Sequence, residues 1–408
     1  MLTNYFKIAI AVLKRRKFFT FISLFGISFT LTILIVVAAF FDHLFRAGYP
    51  DVHRDRSLYV DRVILQTEED WNITSPPSLY FLNQYVQQLK TPSKIAISSL
   101  ARKTNIYVQN RKLSISYKYT NDQYWEVLAY QFIEGRPYNR QQVAGGERVA
   151  VLSEAARDKY FGKDAQVAGR FIEAENVRYR VIGVVKNVPV TLPHVYAEIY
   201  LPYTVARTHA ASDHSLMGNY TAILLAGSEE DREEMGEEFR QMAAKIPLPG
   251  KEYRKMYTFA DTYFTGYMRN LFGNGADSGL DTFYTVLSLI LFLFLLLPTL
   301  NLVNINISRI MERSSEIGVR KAFGASSRTL VFQFIVENII LTFLGGLIGI
   351  LLSVVLLSLF NSSGVIAGAH LLVNGSVLFY ALLACLLFGF ISGVYPAWRM
   401  SRIQVVSA

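Results

Sequence analysis

One cysteine in 408 residues, Cys385, leaves no intrachain disulfide and no cysteine-based zinc site to consider. It lies in an apolar run, so the rest of the chain places no constraint on the redox compartment. Histidine is sparse as well. His43, His53, His194, His209, His214 and His370 include no His-Glu-x-x-His pair and no triad around a nucleophile. His209 and His214 stand five apart, a spacing that puts partners on one face of neither a helix nor a strand; a solvated loop is the plainer reading. No Gly-x-x-x-x-Gly-Lys-Ser/Thr stretch occurs, so no nucleotide-binding loop is evident. Charge itself is scarce at 18%, where a soluble domain carries roughly 25%. These shortages exclude a disulfide scaffold and a disordered chain, and with 51% hydrophobic residues they exclude a purely soluble globular protein.

The apolar residues are concentrated rather than spread. Phe18 to Phe41 is uncharged and is bounded by Lys14-Arg15-Arg16-Lys17 and Asp42. It is longer than the roughly 7–15-residue core of a signal peptide, and reads as a retained helix. Thr282 to Ser308 is a second uncharged run; Pro298 within it removes one backbone donor and predicts a bend. Asn338 to Trp398 contains no Asp, Glu, Lys or Arg, and "NSSG" (361–364) and "NGS" (374–376) divide it in two. A bilayer takes about 20 residues. The pattern predicts four transmembrane helices at 18–41, 282–308, 329–360 and 377–398.

Orientation follows from Lys and Arg. Residues 42–281 hold 29 basic and 29 acidic residues, so the formal charge of +9 lies elsewhere. It sits in the N-terminal 1–17 segment, the 309–328 loop (Arg309, Arg313, Arg320, Lys321, Arg328) and the 399–408 tail (Arg399, Arg402), while loop 361–376 has none. The positive-inside rule puts those three segments and both termini in the cytoplasm, and 42–281 outside. That placement accounts for the basic total without nucleic acid. Leu2, Tyr5, Phe6, Ala9, Ile10 and Leu13 form a helical apolar stripe. It suits a helix lying in the cytoplasmic interface or an inward extension of the first span.

In the external segment, "SLYVDRVIL" (57–65) and "NIYVQNRKLSISYKY" (105–119) alternate like strands, with "QNRK" as a hairpin turn. Helical periodicity falls at 78–89, 122–129, 153–161 and 229–244; the last includes the acidic run "EEDREEMGEE", read as a solvent-facing helix. Strands interspersed with helices predict a large α+β domain. A block at about 135–188 reads strand, helix and hairpin, and is expected to stand apart as an inserted lobe.

The most specific stretch is "ERSSEIGVRKAFGASSRTLVFQFIVENIILTFLGGLIG" (312–349). Val319 and Phe323 sit four apart on one face, Gly324 is a C-terminal stop, and Ser326 or Ser327 suits the next N-cap. The result is a charged elbow with a small apolar knob, joined to two spans. Gly345, Gly346 and Gly349 allow close helix packing within the subunit or across a dimer. Glu337, at the inner edge of the membrane, either snorkels or pairs with Arg328. Trp398, Tyr395 and Tyr284 fit interfacial anchoring.

The chain resembles the MacB, LolC/LolE and FtsX-like family of ABC transporter permeases, and most of all MacB-type permeases without the fused ATPase domain. "ERSSEIGVRKAFGAS" is similar to the family's Glu-Arg-x-x-Glu-Ile-Gly-(Ile/Val)-Arg-x-Ala-x-Gly-Ala pattern. "EGRPYNRQQVAGGERVAVLSEAARDKYFG" and "GRFIEAENVRYRVIGVVKNV" look like the external core domain, and "YPAWRMSRIQVVSA" like the family's ending, which usually runs on past Ala408. The resemblance implies a membrane α-helical fold of four spans with an extracytoplasmic α+β domain made of a Porter-like part and an inserted Sabre-like part. It implies coupling to a cytoplasmic ABC ATPase on a separate chain, which would bind the ATP and Mg, with no cofactor in this chain. By position the coupling residues would be Glu312, Glu316, Ile317, Gly318, Arg320, Lys321, Phe323 and Gly324. A second permease copy and a periplasmic adaptor, lipoprotein or hydrolase are implied partners, beside membrane lipid. The function so implied is export of a drug, peptide or lipoprotein from the inner membrane outward. An FtsX-like regulator of an external cell-wall hydrolase is the alternative. A sensor would need a cytoplasmic signalling domain, and only ten residues follow Trp398.

Overall fold

The long uncharged runs form long helices and the neutral segment between them forms sheets. The computed structural model describes residues 15, 17–108, 111–163, 165–206, 214–312, 318–319, 322–323, 326–365 and 371–401. The stripe at 2–13, His209, the loop tip at 366–370 and the end of the tail lie outside the described residues, as do the side chains of Tyr395 and Trp398. Two compact units result: one contains Phe45–Phe283, the other Met1–Leu44, Tyr284–Val365 and Ala369–Ala408.

The helical elements are α1 (Lys17–Phe45), α8 (Leu280–Glu312), α9 (Ser327–Ser363) and α10 (Gly375–Ser401). Helix α8 continues through Pro298. Among the described residues, Lys17–Phe45 and Val331–Ser363 are long and apolar enough to cross a bilayer, and Leu280–Phe294 is a shorter apolar stretch. One face of α1 is buried: Ile27, Leu31, Ile35 and Ala39. Its opposite side exposes Phe18, Phe21, Phe25 and Phe29, and α9 exposes Leu351 and Leu359, so apolar surface on this scale calls for a lipid surrounding. Helix α9 ends on Gly364, whose φ of 63° is the left-handed stop that glycine adopts without strain. Asn361 then closes the loop to α10, donating to the Leu371 carbonyl and accepting from its N–H, each at 2.9 Å.

The other unit is built on a ten-stranded mixed sheet and a separate three-stranded one. Its strands are β1 (Ser57–Val60), β2 (Val63–Thr67), β3 (Asn72–Ser75), β4 (Lys94–Ser99), β5 (Arg102–Val108), β6 (Arg111–Thr120), β7 (Phe132–Gly135), β8 (Val149–Ser153), β9 (Phe171–Ala174), β10 (Val177–Val185), β11 (Ile199–Pro202), β12 (Tyr220–Leu225) and β13 (Tyr253–Thr258). The large sheet runs β1-β12-β4-β6-β11-β8-β10-β7, with β5 on β6 and β9 on β10; β13-β2-β3 forms the small one. Between the strands lie α2 (Leu79–Gln84), α3 (Tyr124–Val127), α4 (Arg140–Ala144), α5 (Glu154–Phe161), α6 (Asp231–Ala243) and α7 (Tyr263–Phe272).

Local chemistry accounts for these boundaries. Ser78, Asn139, Ser153 and Thr262 cap α2, α4, α5 and α7, each accepting a backbone N–H of the first turn. The β9–β10 hairpin turns on Glu175 and Asn176, both at positive φ, as a two-residue hairpin requires. Helix α6 buries Met235 and Phe239 and turns Glu233, Glu234 and Glu237 outward, while Glu238 accepts the Lys90 and Thr91 N–H groups at 2.8 and 2.9 Å.

The block at 135–188 is not set apart. Its strand β8 pairs with β11 at Ile199↔Leu152 and Tyr200↔Val151, and Ala150, Leu152 and Val181 share one core with Leu58, Phe81 and Ile97. Strand β11 is buried along its whole length, and it fills both edges with neighbours, β6 on one side and β8 on the other. The pattern of a strand reveals its faces but not its neighbours, which is why the block looked independent.

Candidate functional site

The segment between α8 and α9 combines charge with an exposed aromatic. Helix α8 ends at Glu312, and α9 starts after Ser326, whose Oγ accepts the Thr329 N–H at 3.2 Å. Between them Gly318 and Val319 are helical, and the Phe323 N–H donates to the Val319 carbonyl at 3.1 Å, closing one helical turn. That turn sets Val319 and Phe323 on the same face, with 56% and 89% of their surface exposed. Covering a phenylalanine side chain is worth about 1.5–3 kcal/mol, so this turn leaves apolar surface that burial would stabilise. Of the coupling residues implied by sequence, Glu312, Gly318 and Phe323 are placed; Glu316, Ile317, Arg320, Lys321 and Gly324 lie outside the described residues.

Helix α9, which follows the knob, packs closely on α1. Gly345 and Gly349 face α1: a Cβ on Gly345 would stand 2.8 Å from Ile27 Cγ2, and one on Gly349 2.9 Å from the Ser28 carbonyl. Thr32 Oγ1 donates to the Gly349 carbonyl at 3.1 Å. These two glycines therefore serve a contact within the chain, the open alternative at the sequence level. Small residues that let two backbones approach are the usual means of joining helices in lipid.

Glu337 does not snorkel. It is 4% exposed, and Gln333 Nε2, one turn earlier, donates to its Oε1 at 3.0 Å. The Gln–Glu spacing of four was a legible signal for this bond. Among the described residues no group of three or more His, Cys, Asp or Glu side chains could share a metal ion.

Comparison with known proteins agrees with this division. A model of the MacB-like periplasmic core domain matches residues 20–242, and one of the FtsX-like permease C-terminal region matches 288–405. The chain is 26% identical to the ABC transporter permease YknZ of Bacillus subtilis over 290 residues, 71% of this chain and 68% of that protein. It is 25% identical over 301 residues to the macrolide export ATP-binding/permease protein MacB of Pasteurella multocida, covering 73% of this chain and 43% of that one. Against MacB of Escherichia coli K12 the figures are 26% over 337 residues, 80% and 49%. The chain thus spans about half the length of these MacB relatives. Among solved structures, the periplasmic region of MacB from Actinobacillus actinomycetemcomitans matches at 15% identity and a TM-score of 0.37, over 53% of this chain and 93% of that one. The extracellular domain of YknZ from Gram-positive bacteria matches at 16% and 0.36, over 48% and 98%. With one model on the sheet-forming part and the other on the last three long helices, the chain belongs to the MacB/FtsX-like family of ABC transporter permeases.

Proposed function

We propose that this chain is the transmembrane subunit of an ABC transporter that works by mechanotransmission. ATP binding and hydrolysis in a separate cytoplasmic ATPase move the spans, and the spans open and close the external domain. The chain crosses the inner membrane at 18–41, 282–308, 329–360 and 377–398, with both termini in the cytoplasm and 42–281 outside. The external domain comprises a Porter-like part and a Sabre-like part at about 135–188 that share one sheet. ATP and Mg belong to the partner, and the chain itself is not an enzyme.

The observation that carries this reading is the exposed Val319–Phe323 turn, held between two long helices inside the FtsX-like match. Phe323 and Val319 seat in an apolar recess of the ATPase, with Ile317 beside them. Glu312, Glu316, Arg320 and Lys321 pair with its charges, and Gly318 and Gly324 allow the close approach. The MacB relatives are named for macrolide export, which supports an export role. In this reading the substrate is a drug, peptide or lipoprotein already outside the membrane, driven by a dimer of permease chains towards a periplasmic partner.

Gly318→Trp, or Arg320→Glu with Lys321→Glu, tests the elbow. Affinity purification is expected to lose the ATPase from both variants while limited proteolysis of the external domain stays as in the parent. Undiminished ATPase in either pull-down removes the elbow from the interface. The second reading is an FtsX-like regulator of an external cell-wall hydrolase. The external protein that co-purifies separates the two: a hydrolase means regulation, an adaptor or lipoprotein means export.

A further inference from the structure

A cluster of buried polar side chains in the sheet-forming unit lies far in sequence from the elbow. Asp51 Oδ2 accepts three bonds: from Arg54 Nε at 3.0 Å, from the Tyr59 hydroxyl at 2.6 Å and from His194 Nε2 at 3.1 Å. Asp51 is 1% exposed and Arg54 6%. Arg54 lies over the Tyr263 ring at 4.0 Å and donates from Nη1 to the Arg46 carbonyl at 3.1 Å. Lys118, on β6, donates to the carbonyls of Pro193 and His194, and so fixes the loop that carries the imidazole. The cluster joins five pieces of chain: segment 46–56, β1, β6, loop 193–194 and the start of α7.

The charges in it are matched as long as the imidazole is neutral. The ionised carboxylate balances the Arg54 guanidinium, and the neutral ring spends its Nε2–H on the same oxygen. Its other nitrogen, Nδ1, is buried and has no hydrogen-bond partner among the described residues. A proton there would sit on a donor without an acceptor and would set a second cation beside Arg54. The groups facing the ring are Asp51 and Arg54 from the segment after α1, Tyr59 from β1, Tyr263 from α7 and the Lys118 amine from β6; Asp61 lines the same cavity of about 220 Å³. Burial, together with Arg54 and Lys118, outweighs Asp51 and holds the imidazole below its ordinary value.

We propose that Asp51, Arg54 and His194 form an acid-sensitive clasp, in which protonation of His194 at Nδ1 releases segment 46–59 from loop 193–196. In the unfastened form Asp51 stays with Arg54, and the imidazolium turns out to water through the neighbouring cavity. Above the pKa of a free imidazole, about 6.5, the clasp is fully closed. As pH falls below that value the closed form loses ground, because the open form binds the proton more readily.

The test is hydrogen exchange of the full chain in nanodiscs, read by mass spectrometry and corrected for the intrinsic pH dependence of exchange. Protection of peptides covering 46–59 and 190–197 is expected to fall by up to tenfold per unit below about pH 6.5. His194→Gln keeps a donor for Asp51 and cannot titrate, so its protection is expected to be flat over the same range. Lys118→Met is expected to keep the acid response. Wild-type protection that does not change below about pH 6.5, or an equal response in His194→Gln, overturns the proposal. So does loss of the response in Lys118→Met, which would make the lysine the sensor.

Discussion

Lys118 shows how much a single buried charge can say. It is 1% exposed on β6, and burial pushes its amine down to about 7. In the unfolded chain a lysine titrates near 10.4. Between those two values the unfolded state holds a proton that the folded state does not, so stability is complete above about 10.4, is lost as pH falls towards about 7, and changes no further below it. Unfolding of the full chain in detergent, followed by tryptophan fluorescence, should therefore show greater stability at about pH 9.5 than at about pH 7.5, by on the order of 1 kcal/mol per unit. Lys118→Met should flatten that slope. The buried tyrosines Tyr124 and Tyr130 are held well above their ordinary range by burial. Their effect has the opposite sign and begins above about pH 10, outside this window. Alternation in "KLSISYKY" puts Ser114, Ser116 and Lys118 on one face, which reads as the wet one. Lys118 is buried because β6 is an inner strand, with β4 and β5 along one edge, β11 along the other and the 193–194 loop over the amine. None of that pairing is written in the strand itself. For the same reason Asp51 and His194, 143 positions apart, showed nothing in sequence.

At the scale of elements, the contact between α1 and α9 is the joint most open to test. Gly345→Leu and Gly349→Val place atoms where Ile27 and the Ser28 carbonyl already stand, and overpacking of this kind costs about 1–3 kcal/mol. Both are expected to lower the melting temperature of the chain in detergent, whereas Leu351→Ala, on the exposed side of α9, should leave it unchanged. Asn361→Ala removes both bonds to Leu371 and is expected to cost about 1–3 kcal/mol in the same assay. Much at this scale was legible. Ser326, the serines and asparagine of the other caps and the "NSSG" stop at 361–364 mark helix ends by chemistry local to a few residues. The partner of a glycine face was not, because a gap on one helix does not name the helix that fills it.

For the whole molecule, the division into apolar helices and a neutral α+β segment could be read from charge alone, and the family from one fifteen-residue motif. The single continuous sheet could not. Its joint between β8 and β11 is only two residue pairs long and links strands nearly fifty residues apart. The proposed function requires the Val319–Phe323 knob and the sheet-forming domain to lie on opposite sides of the membrane. With Cys385 changed to serine, a cysteine at Phe323 or at Trp71, which is 71% exposed beside β3, gives a single reporter thiol. In right-side-out vesicles, Trp71→Cys should react with a membrane-impermeant maleimide at once, and Phe323→Cys only after permeabilisation. Labelling of both in sealed vesicles, or of neither, would contradict the account.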